Sequence, residues 1–252
     1  MKVVLTFLFF VFINVGLIQG QAIEQIYLNQ DYTKQEKIKD FEYIDAQMDL
    51  SDIDKIADYQ LQIDKSGKDN LGSVFGKLWK EASKLGANAY ALNTISFQNG
   101  QYQVLLSLYY LNEEQMQENF SYYDQNIVVV FGDLNTTNEE KFKSCKVNGQ
   151  KVEIAPYTYS LFKNEIGSKI KISVGGLLGS SVSIKGADSK LGSCYSLGGL
   201  SLMPSGGAVV GSGGSGMGVG INISTGNIYP MDLNFGLFVM TILDSTNNVI
   251  EE

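Results

Sequence analysis

Apolar residues recur at spacings of three and four between Leu71 and Leu85, which is the period of one face of an α-helix. Asn70 precedes this run and can cap the helix by accepting a hydrogen bond from an early backbone N–H. Gly86 follows the run and suits the left-handed position that closes a helix. The pattern therefore predicts one amphipathic helix over residues 71–85.

Two runs rich in aromatic and branched residues come next, Tyr90–Phe97 and Tyr102–Leu111. Asn99 and Gly100 separate them, and this pair favours the tight turn of a β-hairpin because both residues tolerate positive φ. The unit is thus a helix followed by an antiparallel hairpin. Trp79 widens the apolar stripe of the helix on one flank, which predicts that a second element packs there.

The corner between helix and hairpin reads Leu85-Gly86-Ala87-Asn88-Ala89. This run, together with the hairpin that follows, resembles the YbjQ-like family of small bacterial envelope domains, over residues of about 70–111 only. The resemblance implies a helix before two antiparallel strands, with these five residues in structural roles. The heavy-metal label sometimes given to that family does not carry over, because the segment has neither His nor Cys.

Three further strands are predicted before the helix, over Ile23–Leu28, Phe41–Leu50 and Ala57–Ile63. Together with the helix and hairpin they predict an α+β domain over residues 23–111, with one main helix on an antiparallel sheet. Five aspartates lie between or within these strands, and we interpret them as a solvated acidic turn in preference to a calcium loop, since the EF-hand order is missing. They are Asp45, Asp49, Asp52, Asp54 and Asp58.

Residues 112–125 are polar and predict a linker or a short connecting helix. From 126 to 243 short apolar runs recur at regular spacing, which predicts an all-β domain of the sandwich or barrel type. Leu233–Leu243 is a continuous apolar run and is predicted as the closing strand, with 244–252 as a frayed tail. The glycine-rich stretch 198–220 is predicted as a loop; its G-x-G-x-x-G match lacks the strand and helix that a nucleotide site requires.

The N-terminus carries Lys2 and then an apolar run to Ile18, followed by small residues. This order predicts a cleaved signal peptide over residues 1–22. We therefore expect a secreted or periplasmic protein without a stable membrane span after cleavage.

Charge and composition exclude several functions. The chain carries a formal net charge of −8, all its bases are Lys, and it contains no His. An acidic chain without Arg is a poor partner for nucleic acid. The absence of His removes Ser-His and Cys-His nucleophiles and His-ligated metals. We assign no catalytic residue, no cofactor and no metal site.

Cys145 and Cys194 are the only cysteines, and in an exported chain an even count favours one disulfide. Two buried free thiols are the alternative. Tyrosines are numerous, and they suit either a strand core or a surface that grips glycans and proteins. The candidate ligand surface comprises Tyr109, Tyr110, Tyr122, Tyr123, Tyr157 and Tyr159.

The sequence thus favours an exported, non-enzymatic protein that serves binding or envelope assembly, with a protein or a glycan as its partner. The alternative is a secreted glycan hydrolase that acts through two carboxylates, because any pair of the Asp and Glu side chains could converge. Trp79, Gly86, Asn88, Asn99 and Gly100 are assigned as structural corner residues.

Overall fold

A computed structural model describes residues 22–34, 40–65, 67–136, 138, 140–175, 179–198 and 228–247. These residues form a mixed α+β fold with three helices and thirteen strands in three sheets. The predicted signal peptide, except Ala22, and the glycine-rich loop, except Gly198, lie outside the described residues. In chain order the elements are β1 (Ile23–Leu28), β2 (Glu42–Tyr43), β3 (Lys55–Asp64), α1 (Leu71–Leu85), β4 (Ala89–Gln98), β5 (Gln101–Tyr109), α2 (Glu113–Tyr122), β6 (Ile127–Phe131), β7 (Lys143–Val147), β8 (Gln150–Ile154), β9 (Tyr159–Lys163), β10 (Lys169–Val174), β11 (Ser180–Lys185), β12 (Ser193–Ser196), β13 (Tyr229–Met231) and α3 (Leu233–Asn247).

The first sheet has five strands in the order β1-β3-β5-β4-β2, and only the β2–β4 pair is parallel. The predicted hairpin is confirmed: Asn99 and Gly100 have φ of 52° and 80°, which is the positive-φ turn that joins β4 to β5. Asn88 fixes the start of β4, because its side chain donates to the Leu111 carbonyl and accepts from the Leu111 N–H, both at 2.7 Å.

Helix α1 forms for the reasons that the sequence predicts. The Asn70 side chain accepts from the Ser73 N–H at 3.0 Å, and Gly86 has the left-handed φ of 80°. Leu71, Val74 and Leu78 are fully buried against the sheet. Trp79 is partly buried against the same core, as the apolar flank of the helix indicates.

The second half contributes two four-stranded sheets, with the orders β13-β12-β6-β9 and β11-β10-β7-β8. One face of β6 packs against the second of these sheets, through Val128 and Val130 with Ile172 and their neighbours. Among the described residues neither sheet closes into a barrel. The described residues of this half lie mainly in strands, as the sequence predicts.

Helix α3 corrects the prediction of a closing strand over Leu233–Leu243. The segment is helical as far as Asn247, so part of the predicted tail is helix as well, and 248–252 lie outside the described residues. Phe235, Phe238 and Ile242 are buried on one side of the helix, whereas Leu237 and Met240 on the other side are half-buried. Because the half-buried side is apolar as well, the segment has no polar stripe, and its sequence shows no clear helical period.

Two further differences concern the first half. The predicted strand Phe41–Leu50 is reduced to Glu42–Tyr43, because the Asp45 and Asp49 side chains accept from the N–H two residues on and turn the chain. The sequence predicts a linker or a short connecting helix over residues 112–125, and the structure has the helix. Asn112 and Gln115 form a capping box at its start.

One main core joins the two halves of the chain. It contains the helix-facing side of the five-stranded sheet, both α1 and α3, and the face of the β13-β12-β6-β9 sheet that points towards α3. Phe75 of α1 lies with its ring centroid 5.1 Å from those of both Phe235 and Phe238 of α3. Gly236 allows α3 to approach β12, since a Cβ there would lie 2.3 Å from the Cys194 Sγ. The layers are therefore sheet, helices, sheet and sheet.

Replacing Phe238 with Ala tests the role of α3 as the shared layer. Phe238 is fully buried and contacts Phe75 and Tyr90, so we expect the free energy of unfolding to fall by about 3 to 5 kcal/mol. Leu161→Ala is the control, because Leu161 is 46% exposed on β9, and it should cost no more than about 0.5 kcal/mol. Urea denaturation measures both; equal losses would contradict a core built around α3.

Candidate functional site

Two carboxylates meet at the beginning of α3. Glu42 lies on the short edge strand β2, and Asp232 lies one residue before the helix, where its Oδ1 accepts from the Phe235 N–H at 3.0 Å. Asp232 is thus the cap of α3, a role that carboxylates favour. Asn234 links the two elements, because its side chain hydrogen bonds the Glu42 carboxyl.

The same asparagine organises the backbone around it. The Tyr43 N–H donates to the Asn234 Oδ1 at 3.1 Å, and the buried Tyr90 hydroxyl donates to the Asn234 carbonyl at 2.7 Å. The Tyr43 carbonyl accepts from the Asn119 Nδ2 at 2.7 Å and also from the Tyr123 hydroxyl. We call the set Glu42, Tyr43, Tyr90, Asn119, Tyr123, Asp232 and Asn234 the α3 cap cluster.

Burial changes the ionisation of the cluster. The pKa of Glu42 is raised to about 7, chiefly by burial; the hydrogen bond from Asn234 opposes the shift, and the negative charges of Asp232 and Asp40 add to it. Burial also raises the pKa of Asp232, although the backbone N–H groups of Phe235 and Asn234 lower it in part. Two partly buried carboxyls near each other disfavour double ionisation.

The chemistry open to this cluster is proton transfer. A carboxyl with a pKa of about 7 can give or accept a proton near neutrality, as a general acid or base does. The cluster's polar groups, however, bond mainly to one another and to backbone, and they tie β2, α2 and α3 together. The arrangement is therefore that of a hydrogen-bonded structural joint that contains one titratable group.

A second candidate site lies on the face of the five-stranded sheet opposite α1 and α3, beyond the part of that face that α2 covers. Tyr59, Leu61 and Ile63 on β3 are buried towards α1, so the residues between them point to the opposite face. On that face Gln62 lies opposite Gln103, and Gln103 lies opposite Ser96. The set, which we call the amide face, is Gln60, Gln62, Thr94, Ser96 and Gln103.

The structure does not bring the six candidate tyrosines to one surface. Tyr109, Tyr123 and Tyr157 are buried, and the remaining three are half-buried. Tyr109 and Tyr122 belong to a small core under α2, whereas Tyr157 and Tyr159 pack against the main core from the second half. Buried tyrosines of this kind are strand and core residues, and their hydroxyls reach partners inside the protein.

The predicted Cys145–Cys194 disulfide is absent, because both cysteines are free and buried. Cys194 packs on the α3 side of its sheet, whereas Cys145 faces the core between the two four-stranded sheets. A sheet therefore separates the two sulfur atoms. Burial raises the pKa of Cys194 to about 12, with a contribution from the charge of Asp232, so its thiolate is scarce at neutral pH.

Sequence analysis missed Glu42, Asp232 and Asn234 as a group. Glu42 and Asn234 are 192 positions apart in the chain, and only Asp232 before an apolar run gave a local signal, as a helix cap. That signal was hidden because the run was assigned to a strand. Among the residues described, no three His, Cys, Asp or Glu side chains come together in a way that could hold a metal ion.

No helix within the described ranges combines the length and the apolar character needed to cross a bilayer. Comparison of the chain with family models, with curated proteins and with solved structures finds no match.

Glu42 predicts a pH-dependent stability. Its pKa is about 7 when folded against an ordinary value of 4.5, so the folded state holds the extra proton between these values. The free energy of unfolding should therefore fall as pH rises from about 4.5 to about 7, by at most about 3 kcal/mol. Glu42→Gln mimics the protonated form; it should stabilise the protein at pH of about 8 and flatten this slope.

Glu165→Gln is the matched control, since Glu165 is exposed in the loop after β9 and the change in net charge is the same. Urea melts at several pH values measure all three proteins. The Glu42 account fails if Glu42→Gln and Glu165→Gln both retain the wild-type slope.

The free thiols predict a specific reactivity. In the native protein neither cysteine should react rapidly with a chromogenic thiol reagent, because both are buried. After denaturation without reductant, two thiols per chain should react. A count of zero would instead indicate the disulfide, and a reductant should leave the melting temperature unchanged if the thiols are free.

Proposed function

We propose that this chain is an exported, non-enzymatic binding or envelope-assembly protein whose ligand surface is the amide face. The observation that supports the proposal is an exposed group of uncharged hydrogen-bonding side chains on this face. Glu24 and Asp64 border the group, and Leu105 lies within it. One face of the five-stranded sheet is covered by α1 and α3, whereas Gln60, Thr94 and Ser96 on the other face are exposed.

The chemistry of this face favours a neutral, hydroxyl-rich or amide-rich partner. A glutamine amide both donates and accepts hydrogen bonds, and serine and threonine hydroxyls do the same. Side chains on neighbouring strands lie about 5 Å apart, a spacing that can engage successive groups of an extended ligand. A glycan or an extended protein segment fits this description.

The likeness of the helix–hairpin corner to YbjQ-like envelope domains supports a role in the envelope, and the N-terminal targeting pattern supports export. In this proposal the two predicted modules, 23–111 and 126–243, act as one body, because α3 contributes to a core shared by both. Ligand recognition belongs to the first module.

The alternative function is a secreted glycan hydrolase, and the α3 cap cluster is the observation that favours it. Glu42 would serve as the general acid, because its pKa of about 7 keeps it protonated near neutrality, and Asp232 would be the second carboxylate. The internal hydrogen bonds of the cluster favour the non-enzymatic proposal over this one.

A glycan and peptidoglycan array, read for both binding and turnover, tests the proposal. Gln60, Gln62 and Gln103 are replaced together by Ala, and we expect binding to weaken about tenfold or more, because each lost hydrogen bond contributes about 0.5–1.5 kcal/mol. The control replaces three exposed glutamines elsewhere, Gln47, Gln117 and Gln150, and should bind as the wild type does.

The outcomes separate the two functions. Binding that is lost only in the amide-face variant supports the proposal, whereas equal binding by both triple variants contradicts it. Turnover of a glycan that falls at least about a hundredfold in Glu42→Gln would establish the hydrolase instead.

A further inference from the structure

The outer face of the β11-β10-β7-β8 sheet carries a concentration of lysines. Residues 126–198 contain nine lysines against six acidic residues, although the whole chain has a net charge of −8. Along β10 the buried Ile170 and Ile172 alternate with exposed lysines, so those lysines point away from the core. We define the lysine face as Lys146, Lys151, Lys169, Lys171 and Lys185, with Ser144, Ser181, Ser183 and Glu153 among them.

Like charges stand directly opposite one another on this face. Lys169 is the cross-strand partner of Lys185, and Lys146 is the cross-strand partner of Lys151. Such pairs destabilise a sheet. Of these five lysines only Lys151 forms an ion pair with a described residue, Glu153 at 2.6 Å, so the other four ammonium groups have no carboxylate partner among the described residues. An external anion that binds here would relieve this repulsion.

We propose that the lysine face docks on the surface of an anionic lipid bilayer. The lysines are spread over all four strands of the sheet, so they form a two-dimensional array that matches a plane of lipid phosphates better than it matches one linear polymer. A lysine ammonium is a point charge that pairs with phosphate in any orientation, and the serine hydroxyls between the lysines can donate to phosphate oxygens.

The face itself argues for surface docking without insertion. None of the exposed large apolar side chains of the described residues is a member of the lysine face, although Ile166 borders it where it pairs with Gly186. Attraction at the lysine face must therefore be electrostatic and sensitive to salt. It is independent of the amide face and of the proposed function.

The overall negative charge does not oppose this docking. The amide face and the acidic loop 44–54 belong to the five-stranded sheet, at the other end of the four layers. At about 10 Å per layer that is about 30 Å from the lysine face, whereas charges are screened over about 8 Å at physiological salt. The bilayer would therefore meet the lysines while the acidic end points away from it.

Vesicle co-sedimentation tests the proposal with the full chain. The first variant changes Lys146, Lys169, Lys171 and Lys185 to Gln. The matched control changes Lys68, Lys77, Lys80 and Lys84 to Gln, which alters the net charge equally on and before α1. All proteins carry the same N-terminus, so any contribution from that segment cancels in the comparison.

We expect the wild type to bind vesicles of phosphatidylglycerol mixed with phosphatidylcholine, and to bind less as salt rises from about 0.05 to about 0.5 M. Each lysine near an anionic surface contributes about fivefold to partitioning, so the lysine-face variant should bind at least about a hundredfold more weakly. The α1 control should bind within about fivefold of the wild type. The lysine-face variant should melt at or above the wild-type temperature, because it loses like-charge pairs.

Four results would overturn the proposal. The first is equal binding of the two variants, and the second is equal binding to pure phosphatidylcholine. The third is salt-dependent self-association that is lost in the lysine-face variant while vesicle binding is unchanged, which would assign the face to a second copy. Competition by soluble polyphosphate at equal phosphate concentration distinguishes a polymer site from a membrane site: full displacement contradicts a bilayer.

Discussion

Helix α3 must bury apolar side chains on more than one side, and the arrangement of the other elements depends on this constraint. Phe235 and Phe238 contact Phe75 of α1. Gly236 has no side chain, which allows Cys194 of β12 to pack closely against α3. Burial of a large aromatic side chain contributes roughly 1.5–3 kcal/mol. Residues of both halves therefore contribute to the burial of α3.

The same helix explains why the most perturbed carboxyls lie where they do. The N-terminus of α3 needs a cap and favours negative charge, which Asp232 supplies. The edge strand β2 brings Glu42 to the same place, where burial raises its pKa. The α3 cap cluster is therefore a consequence of fastening α3 to the first sheet, and its hydrogen bonds hold that junction together.

The two outer faces of the molecule differ in chemistry. The amide face offers neutral hydrogen-bonding groups, whereas the lysine face offers exposed ammonium groups on all four strands of a sheet. Helix α3 and two sheet layers keep these faces apart. The two interactions proposed for these faces depend on different forces, hydrogen bonding at one end and electrostatic attraction at the other.

Local patterns determined the elements whose signals are local. The cap at Asn70, the stop at Gly86 and the turn at Asn99-Gly100 predicted α1 and the hairpin, because capping and positive φ are properties of a few adjacent residues. Only the tertiary structure decided that Leu233–Leu243 is a helix, since apolar residues also occupy its half-buried side and leave no polar stripe to mark a helix in the sequence. Likewise, Glu42 and Asn234 meet, and Cys145 and Cys194 do not, because the packing of α3 and the sheets fixes distances that residue spacing cannot reveal.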